Sequence, residues 1–490
     1  MNGSRSALLA FGLAGTALPA LAVPQHAVTR PIPGDNVILD SCLNEHPSYS
    51  DIWGYTAPDG REYALLGTYT GTAVIDITDR RRPREVSFVT GPSSIWREIK
   101  TWGSWAYVVS EGGGGLQMVN LADPAHPVTS SWMGFTTAHN LWVDEQSATA
   151  YIAGRERSGG VLILRMLGPS APSPLGAWDV AYAHDVYSRD GILYLSAIYQ
   201  GRLYLLDVAD PAHPSQMGFV GNYPNAFTHN AWPTADGHHV LTTDERSGAY
   251  VHCWDVTNPA APSLSSFYGP VDGARSIPHN VFVDGNLAYV SWYTMGVIVL
   301  DVSDPEAIHE VARYDTHPEG NNGTFEGCWG VFPFYPNSPG LFVASDIERG
   351  LYVLELESDL VSGVARSRRA AAGARAAAGE GAAASGRMDG PASTSAAARL
   401  RVAAPFPNPA DRSGVTLALH ASAPARVAAE VLDAAGRRVR SLPERAVSAG
   451  DSFLAWDGRD RAGRRVAPGA YFVRVIAGAE ETVRKVVVTR

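Results

Sequence analysis

Residues Thr137–Val143 read TAHNLWV, and the phrase returns as YAHDVYS at Tyr182–Ser188, FTHNAWP at Phe227–Pro233 and IPHNVFV at Ile277–Val283. A small residue, a histidine, Asn or Asp, an apolar residue and an aromatic, written four times at near-regular spacing, is either a repeating fold, a site built from imidazoles, or both. With the histidine as phase mark, the series His139, His184, His229 and His279 extends back to Arg97 in IWREIKTW and Trp53 in DIWGYT. It extends forward to Trp329 in GCWGVFP, and the steps are 44, 42, 45, 45, 50 and 50 residues. Such a period marks a repeat architecture, here of seven units.

Each unit reads alike. A short opening strand is followed by a second apolar strand (AYVVSE, LYLSAI, AYVSWY), then a glycine-bearing turn and a third strand (TAVIDI, LYLLDV, VIVLDV). A Pro-punctuated turn such as DPAHP or NPAAP closes most units, its Asp or Asn placed to accept from backbone amides just ahead. A less regular fourth strand follows. Four short strands per unit, continuously apolar where both faces are to be covered, predict an all-β chain with a seven-bladed β-propeller over residues 36–357. A solenoid would need capping ends, and none is evident.

The VIVLDV and LYLLDV strands resemble LVIVD repeats. The run from WGY through the His-Asn units to WGVFPFYP and SDIERGLYVLEL is similar to the choice-of-anchor B family. That resemblance implies an exported bacterial propeller followed by an attachment module, and it carries no activity to named residues.

If the ring closes, the first and last units are neighbours. Cys42, upstream of unit one, and Cys328, just before the last mark, are then candidates for a disulfide stapling the ends, stabilising by roughly 2–5 kcal/mol. The alternative is two buried free thiols, which is also the reading for Cys253 in YVHCWDV.

The termini differ from the middle. MNGSRS followed by the apolar ALLAFGLAGTALPALA has the form of a secretory signal peptide over residues 1–22, with cleavage after Ala22. No later stretch has the ~18–20 apolar residues of a membrane helix, so the mature chain is expected outside the cytoplasm, extracellular, on the cell surface or in a periplasm. Residues 358–400 are rich in Ala, Gly, Ser and Arg, the composition of a flexible linker. Residues 401–490 return to short strands between Gly, Pro and Asp turns and predict a small Ig-like β-sandwich with Trp456 and Tyr471 in its core. Through PNP, WDGRDRAGRRVAPGAYFVRV and a basic-apolar last strand, this run resembles flagellar hook-capping Ig-like domains and type IX secretion sorting domains. The resemblance implies an anchoring role or recognition by secretion machinery.

The formal net charge of -10 hides an asymmetry: residues 361–490 hold 21 of the 39 Lys and Arg but 11 of the 49 Asp and Glu. The acidic front half excludes nucleic acid as partner, because phosphates need basic side chains to displace their counterions. An extracellular protein, a glycan or an envelope component remains.

In a propeller the opening strands are innermost, so the marked residues should crowd the central channel. His139, His184, His229 and His279, with Asn140, Asp185, Asn230 and Asn280 beside them, are either packing residues repeated with the blade, ligands for a divalent metal (zinc, or calcium through the oxygens), or a metal-free ligand pocket. Arg97 and Glu98 replace His-Asn in unit two and are expected as an ion pair. Glu111, Glu156, Asp244, Glu245 and Asp346, after second strands, are candidates for a carboxylate rim. Trp142, Tyr187, Trp232 and Phe282 are expected between blades. No GxSxG elbow, phosphate-binding loop, HExxH or dinucleotide fingerprint is present. The leading expectation is therefore a non-enzymatic binding or scaffolding propeller; the alternative is a metal-dependent hydrolase or lyase acting on an extracellular polymer.

Overall fold

The computed structural model describes residues 36–361 and 400–488, apart from short breaks at 222, 224, 270–274, 321–322, 403–413, 422–423, 434–435, 448–449 and 479. The expected signal segment and nearly all of the expected linker lie outside the described residues.

Seven four-stranded antiparallel sheets follow one another between Val37 and Leu356, and they are the blades of the propeller. Blade three shows the pattern: Asn140–Asp144 innermost, then Thr149–Ala153, Val161–Met166 and Pro172–Trp178. Burial falls from the axis outward. In blade two Arg97–Trp102 and Trp105–Ser110 are mostly buried, whereas the outer Val128–Trp132 is almost wholly exposed. A single sheet has two apolar faces to cover, and stacking blades around an axis covers both.

The turns behave as their sequence predicts. Asp123 Oδ1 accepts from the Ala125 amide at 3.1 Å, Asp210 Oδ1 from Ala212 at 3.1 Å, and Asn258 Oδ1 from Ala260 at 3.2 Å. These Asx turns carry the chain from third to fourth strand, the side chain taking an amide just ahead.

Closure uses a strand that the repeat pattern did not reveal. The seventh blade takes Cys328–Phe332, Leu341–Asp346 and Gly350–Leu356 from the end of the propeller, and its outermost strand is Val37–Leu43. This corrects the expected staple. Cys42 sits on the outermost strand of that blade and Cys328 on the innermost, three strand spacings apart, or roughly 14 Å. A disulfide needs Cα atoms within about 7 Å, and all three cysteines are free. Backbone hydrogen bonds, rather than a covalent bridge, join the ends.

Residues 400–488 form two further sheets: Leu400–Val402, Val415–Ala421 and Gly450–Trp456 in one, and Arg438–Val447, Ala425–Asp433, Gly469–Ala477 and Glu480–Val488 in the other. They share a core in which Trp456 meets Tyr471 at a ring separation of 5.4 Å, as expected. Among the described residues no helix is long and apolar enough to cross a membrane.

Candidate functional site in the channel

The innermost strands set three residue positions against the axis. Counting from each histidine, the first position holds Ser50, Arg97, His139, His184, His229, His279 and Trp329. The mark in unit one is therefore Ser50, not Trp53. The register shows it: Trp53 pairs with Leu65 as Trp232 pairs with Leu241, three residues beyond the mark. Ser50 escaped notice because a small hydroxyl carries no pattern, while the nearby tryptophan does.

At this first position the four imidazoles stand in an unbroken arc. Ring centroids are 4.1 Å apart for His139–His184, 4.4 Å for His184–His229 and 4.1 Å for His229–His279. Each end is fixed. His139 Nδ1 lies 2.7 Å from Glu111 Oε1, and His279 Nδ1 donates to the Trp329 carbonyl at 2.5 Å. The middle is not: His184 Nε2 and His229 Nδ1 are buried without a protein partner. Glu245 faces the arc, accepting from Tyr293 Oη at 2.7 Å, with its two carboxylate oxygens each 3.8 Å from an imidazole Nε2, that of His229 and that of His279. Burial, followed by repulsion among neighbouring imidazoles, holds His184 and His229 well below the usual histidine range, and burial pushes Glu245 up to about 7. His184, His229 and His279 are neutral and carry lone pairs.

The second position, one residue on, holds Asp51, Glu98, Asn140, Asp185, Asn230 and Asn280, with Gly330 in the last blade. Several latch one blade to the next: Asp51 Oδ2 accepts from the Ile99 amide at 3.1 Å, Asn230 Oδ1 from Val281 at 2.9 Å, and Asn140 Nδ2 donates to Asp185 Oδ2 at 2.8 Å. Lys100 reaches into this ring. Its ammonium donates to Glu98, lies 3.7 Å from Asp51 Oδ2 and stands 4.2 Å over the Trp53 ring. Burial works against that charge, but Glu98 and Asp51 outweigh it and hold Lys100 above its ordinary value. Burial raises Glu98 strongly and brings Asp185 to about 7.

The expected Arg97–Glu98 ion pair is thus absent. Residues adjacent in a strand point to opposite faces, so Arg97 turns to the Pro92 and Thr68 carbonyls at 2.5 and 3.3 Å, while Glu98 takes Lys100.

The third position, three residues past the mark, is aromatic: Trp53, Trp142, Tyr187, Trp232, Phe282 and Phe332, with Lys100 in the second blade. These rings meet one another across the axis, Trp53 with Phe282 at 5.7 Å and Trp142 with Trp232 at 5.4 Å, and Phe334 stacks on Trp232 at 5.4 Å. They plug the channel rather than fill the seams between blades. Above them opens a cavity of about 870 Å³, rimmed by Asp144, Glu145, Gln146, Arg189 and Asp190.

The carboxylate rim does not assemble as one set. Glu111 and Glu245 face the arc. Asp244 is a buried post accepting from Tyr223 Oη at 3.0 Å and the Phe227 amide at 2.6 Å. Glu156 turns outward to cap the Thr136 amide at 2.7 Å. Asp346 caps the Glu348 and Arg349 amides at 3.1 and 2.9 Å, beside His317. The sequence did not single out Lys100, Asp51 or Tyr293. Asp51 follows Ser50 as Asn follows His, and correct phasing of unit one would have found it.

Residues 278–316 match the family model of the LVIVD repeat, and residues 408–481 match that of the FlgD Ig-like domain. The chain carries an LVIVD repeat and a FlgD-type Ig-like domain. Among solved structures, it is similar to PorZ, a surface component of the type IX secretion system of Porphyromonas gingivalis, at 14% identity and a TM-score of 0.45. That match covers 94% of this chain and 61% of PorZ, so the chain spans about six-tenths of PorZ's length. It is also similar to the β-propeller domain of Myceliophteria thermophila Cps50 (Swd1), at 11% identity and a TM-score of 0.47, covering 64% of this chain and 98% of that one. No curated protein matches the chain.

Proposed function

We propose that this LVIVD-repeat chain is an exported, surface-associated binding module. Its propeller takes a glycan of the cell envelope at the aromatic mouth of the channel, and its Ig-like domain attaches or delivers it. The reading rests on one observation: a cavity of about 870 Å³ whose floor is Trp53, Trp142, Tyr187, Trp232 and Phe334 and whose rim is Asp144, Glu145, Gln146, Arg189 and Asp190. Flat apolar faces below, with acceptors and one guanidinium at the edge, suit a sugar ring, which has an apolar face and an equator of hydroxyls. The apolar leader and the hook-capping type of the C-terminal domain support placement outside the cytoplasm.

Two measurements test this. Affinity electrophoresis of the full mature chain against purified envelope polysaccharides should show retardation by at least one of them, reduced at least ~10-fold in Trp142→Ala and Glu145→Gln. No retardation by any, or retardation unchanged in both variants, overturns the ligand assignment. Protease shaving of intact cells should remove the chain; full protection with a retained leader overturns the location.

A further inference from the structure

The geometry points to a single late first-row divalent metal ion, zinc foremost, held at the histidine end of the channel by His184, His229 and Glu245, with His279 beside them. Three observations carry it, and none depends on the aromatic mouth at the channel's other end.

The first is the spacing. His184, His229 and Glu245 each present one ligand-type atom, and those atoms lie within 4.8 Å of one another. The Glu245 oxygens stand 3.8 Å from the Nε2 atoms of His229 and His279. That gap is too long for a hydrogen bond. It is close to the roughly 3.3–3.6 Å that separates two ligands of one tetrahedral zinc with bonds of ~2.0–2.2 Å.

The second is what lacks a partner. His184 is 8% exposed, yet its Nε2 has no protein partner. Such a nitrogen in a protein interior normally has a partner, so its vacancy calls for a water or an ion. Beside the arc lies a cavity of about 20 Å³, room for one small occupant, lined by the four histidines together with Arg97, Glu98 and Asp185.

The third is the support behind the ligands. His279 Nδ1 donates to the Trp329 carbonyl, which also accepts from Ser291 Oγ at 2.9 Å, so its Nε2 carries the lone pair. Tyr293 Oη holds one oxygen of Glu245. Metal-bound histidines and carboxylates are usually oriented by such outer bonds. His139, whose Nδ1 is held by Glu111, ends the arc and lies outside the group of His184, His229 and Glu245. Two or three imidazoles and one carboxylate suit zinc and its neighbours and disfavour calcium, which takes oxygen.

The other cluster, His317, Asp346 and Glu348, is a different case. Arg349 lies 3.1 Å from His317 Nδ1 and 3.8 Å from Asp346, so a guanidinium already faces two of its three members.

The test uses the full chain, stripped with a chelator and titrated with zinc or cobalt(II) at neutral pH. One equivalent should bind, and cobalt should give the intense visible bands of a four- or five-coordinate ion. Glu245→Gln and the pair His184→Gln/His229→Gln should each weaken binding by at least ~100-fold, and Tyr293→Phe by ~10–100-fold. His317→Gln should leave it unchanged. Folding of every variant is checked by far-UV circular dichroism and a melting curve without metal. Because the wild-type stoichiometry and cobalt spectrum need no variant, a misfolded mutant does not rescue the idea. Less than one equivalent, an octahedral aquo-type cobalt spectrum, or equal affinity in folded Glu245→Gln overturns it, and leaves a bound water as the occupant.

Discussion

Val37 pairs with Leu356, and the antiparallel register runs from there through Leu43 and Leu351. The propeller is thus sealed by hydrogen bonds between its first strand and its last, and Val37, Leu39 and Leu43 are buried in that seam. Removing residues 36–43 leaves Gly350–Leu356 as an open edge with its apolar neighbours exposed. Such a chain should melt well below the intact one and aggregate on concentration, read by scanning calorimetry and light scattering. An unchanged melting temperature would contradict closure through this strand.

A second expectation concerns the thiols. Non-reducing denaturation followed by thiol titration should count all three cysteines as free. In the native state at pH 8, Cys253 and Cys328 should resist alkylation, because burial removes access and pushes both thiols far up. Cys42, partly exposed, should react first. A count of one free thiol would restore the staple.

Gly54 tests how tightly the ring is drawn. A Cβ placed there would come within 2.0 Å of the Phe332 ring in the last blade. Gly54→Ala should therefore destabilise by about 1–3 kcal/mol, measured as a shift in the urea midpoint with unchanged slope.

Asp185 sets a pH dependence. Its folded pKa, raised by burial to about 7 from 3.8, means that folding takes up a proton between those values. Stability should accordingly fall as pH rises from about 4 to 7, because the folded state holds the proton that the unfolded state has released. Asp185→Asn should flatten that slope and raise stability at pH 7.5 by an amount on the order of a few kcal/mol. Urea midpoints at pH 4.5 and 7.5, in chelator, check it; a wild-type midpoint independent of pH contradicts it.

Lys100 is the one cation in the second ring among the described residues that touches both Asp51 and Glu98. Lys100→Met should destabilise by ~3–5 kcal/mol at neutral pH, since it strands two buried carboxylates. The loss should shrink on acidification as those carboxylates take up protons, and denaturation midpoints across pH would show it.

The blades were legible in the sequence because each repeats the same obligation, an apolar strand between two punctuated turns. The histidine arc was legible for the same reason, as four copies of one phrase. What escaped were residues whose role depends on a neighbour in another blade. Ser50 holds a histidine's place but has no histidine's signature. Val37–Leu43 belongs to a blade whose other strands lie at the far end of the propeller. Arg97 and Glu98 looked paired because they are adjacent, yet strand geometry sends them to opposite faces, and Glu98 finds Lys100 instead. Glu245 looked like one rim residue among several, and only the fold places it between two imidazoles. The hydrophobic pattern specifies the ring; the contacts inside it arise when distant blades are brought side by side.

The seam between Val37–Leu43 and Gly350–Leu356 also imposes an order of events. The opening strand is made first, yet its mate emerges more than three hundred residues later. At translation rates of roughly 5–20 residues per second, that leaves a wait on the order of tens of seconds. During that interval a β-forming segment stands without its native neighbour, and the unfinished ring stays threadable. A chain built this way becomes resistant to unfolding only once its last blade arrives.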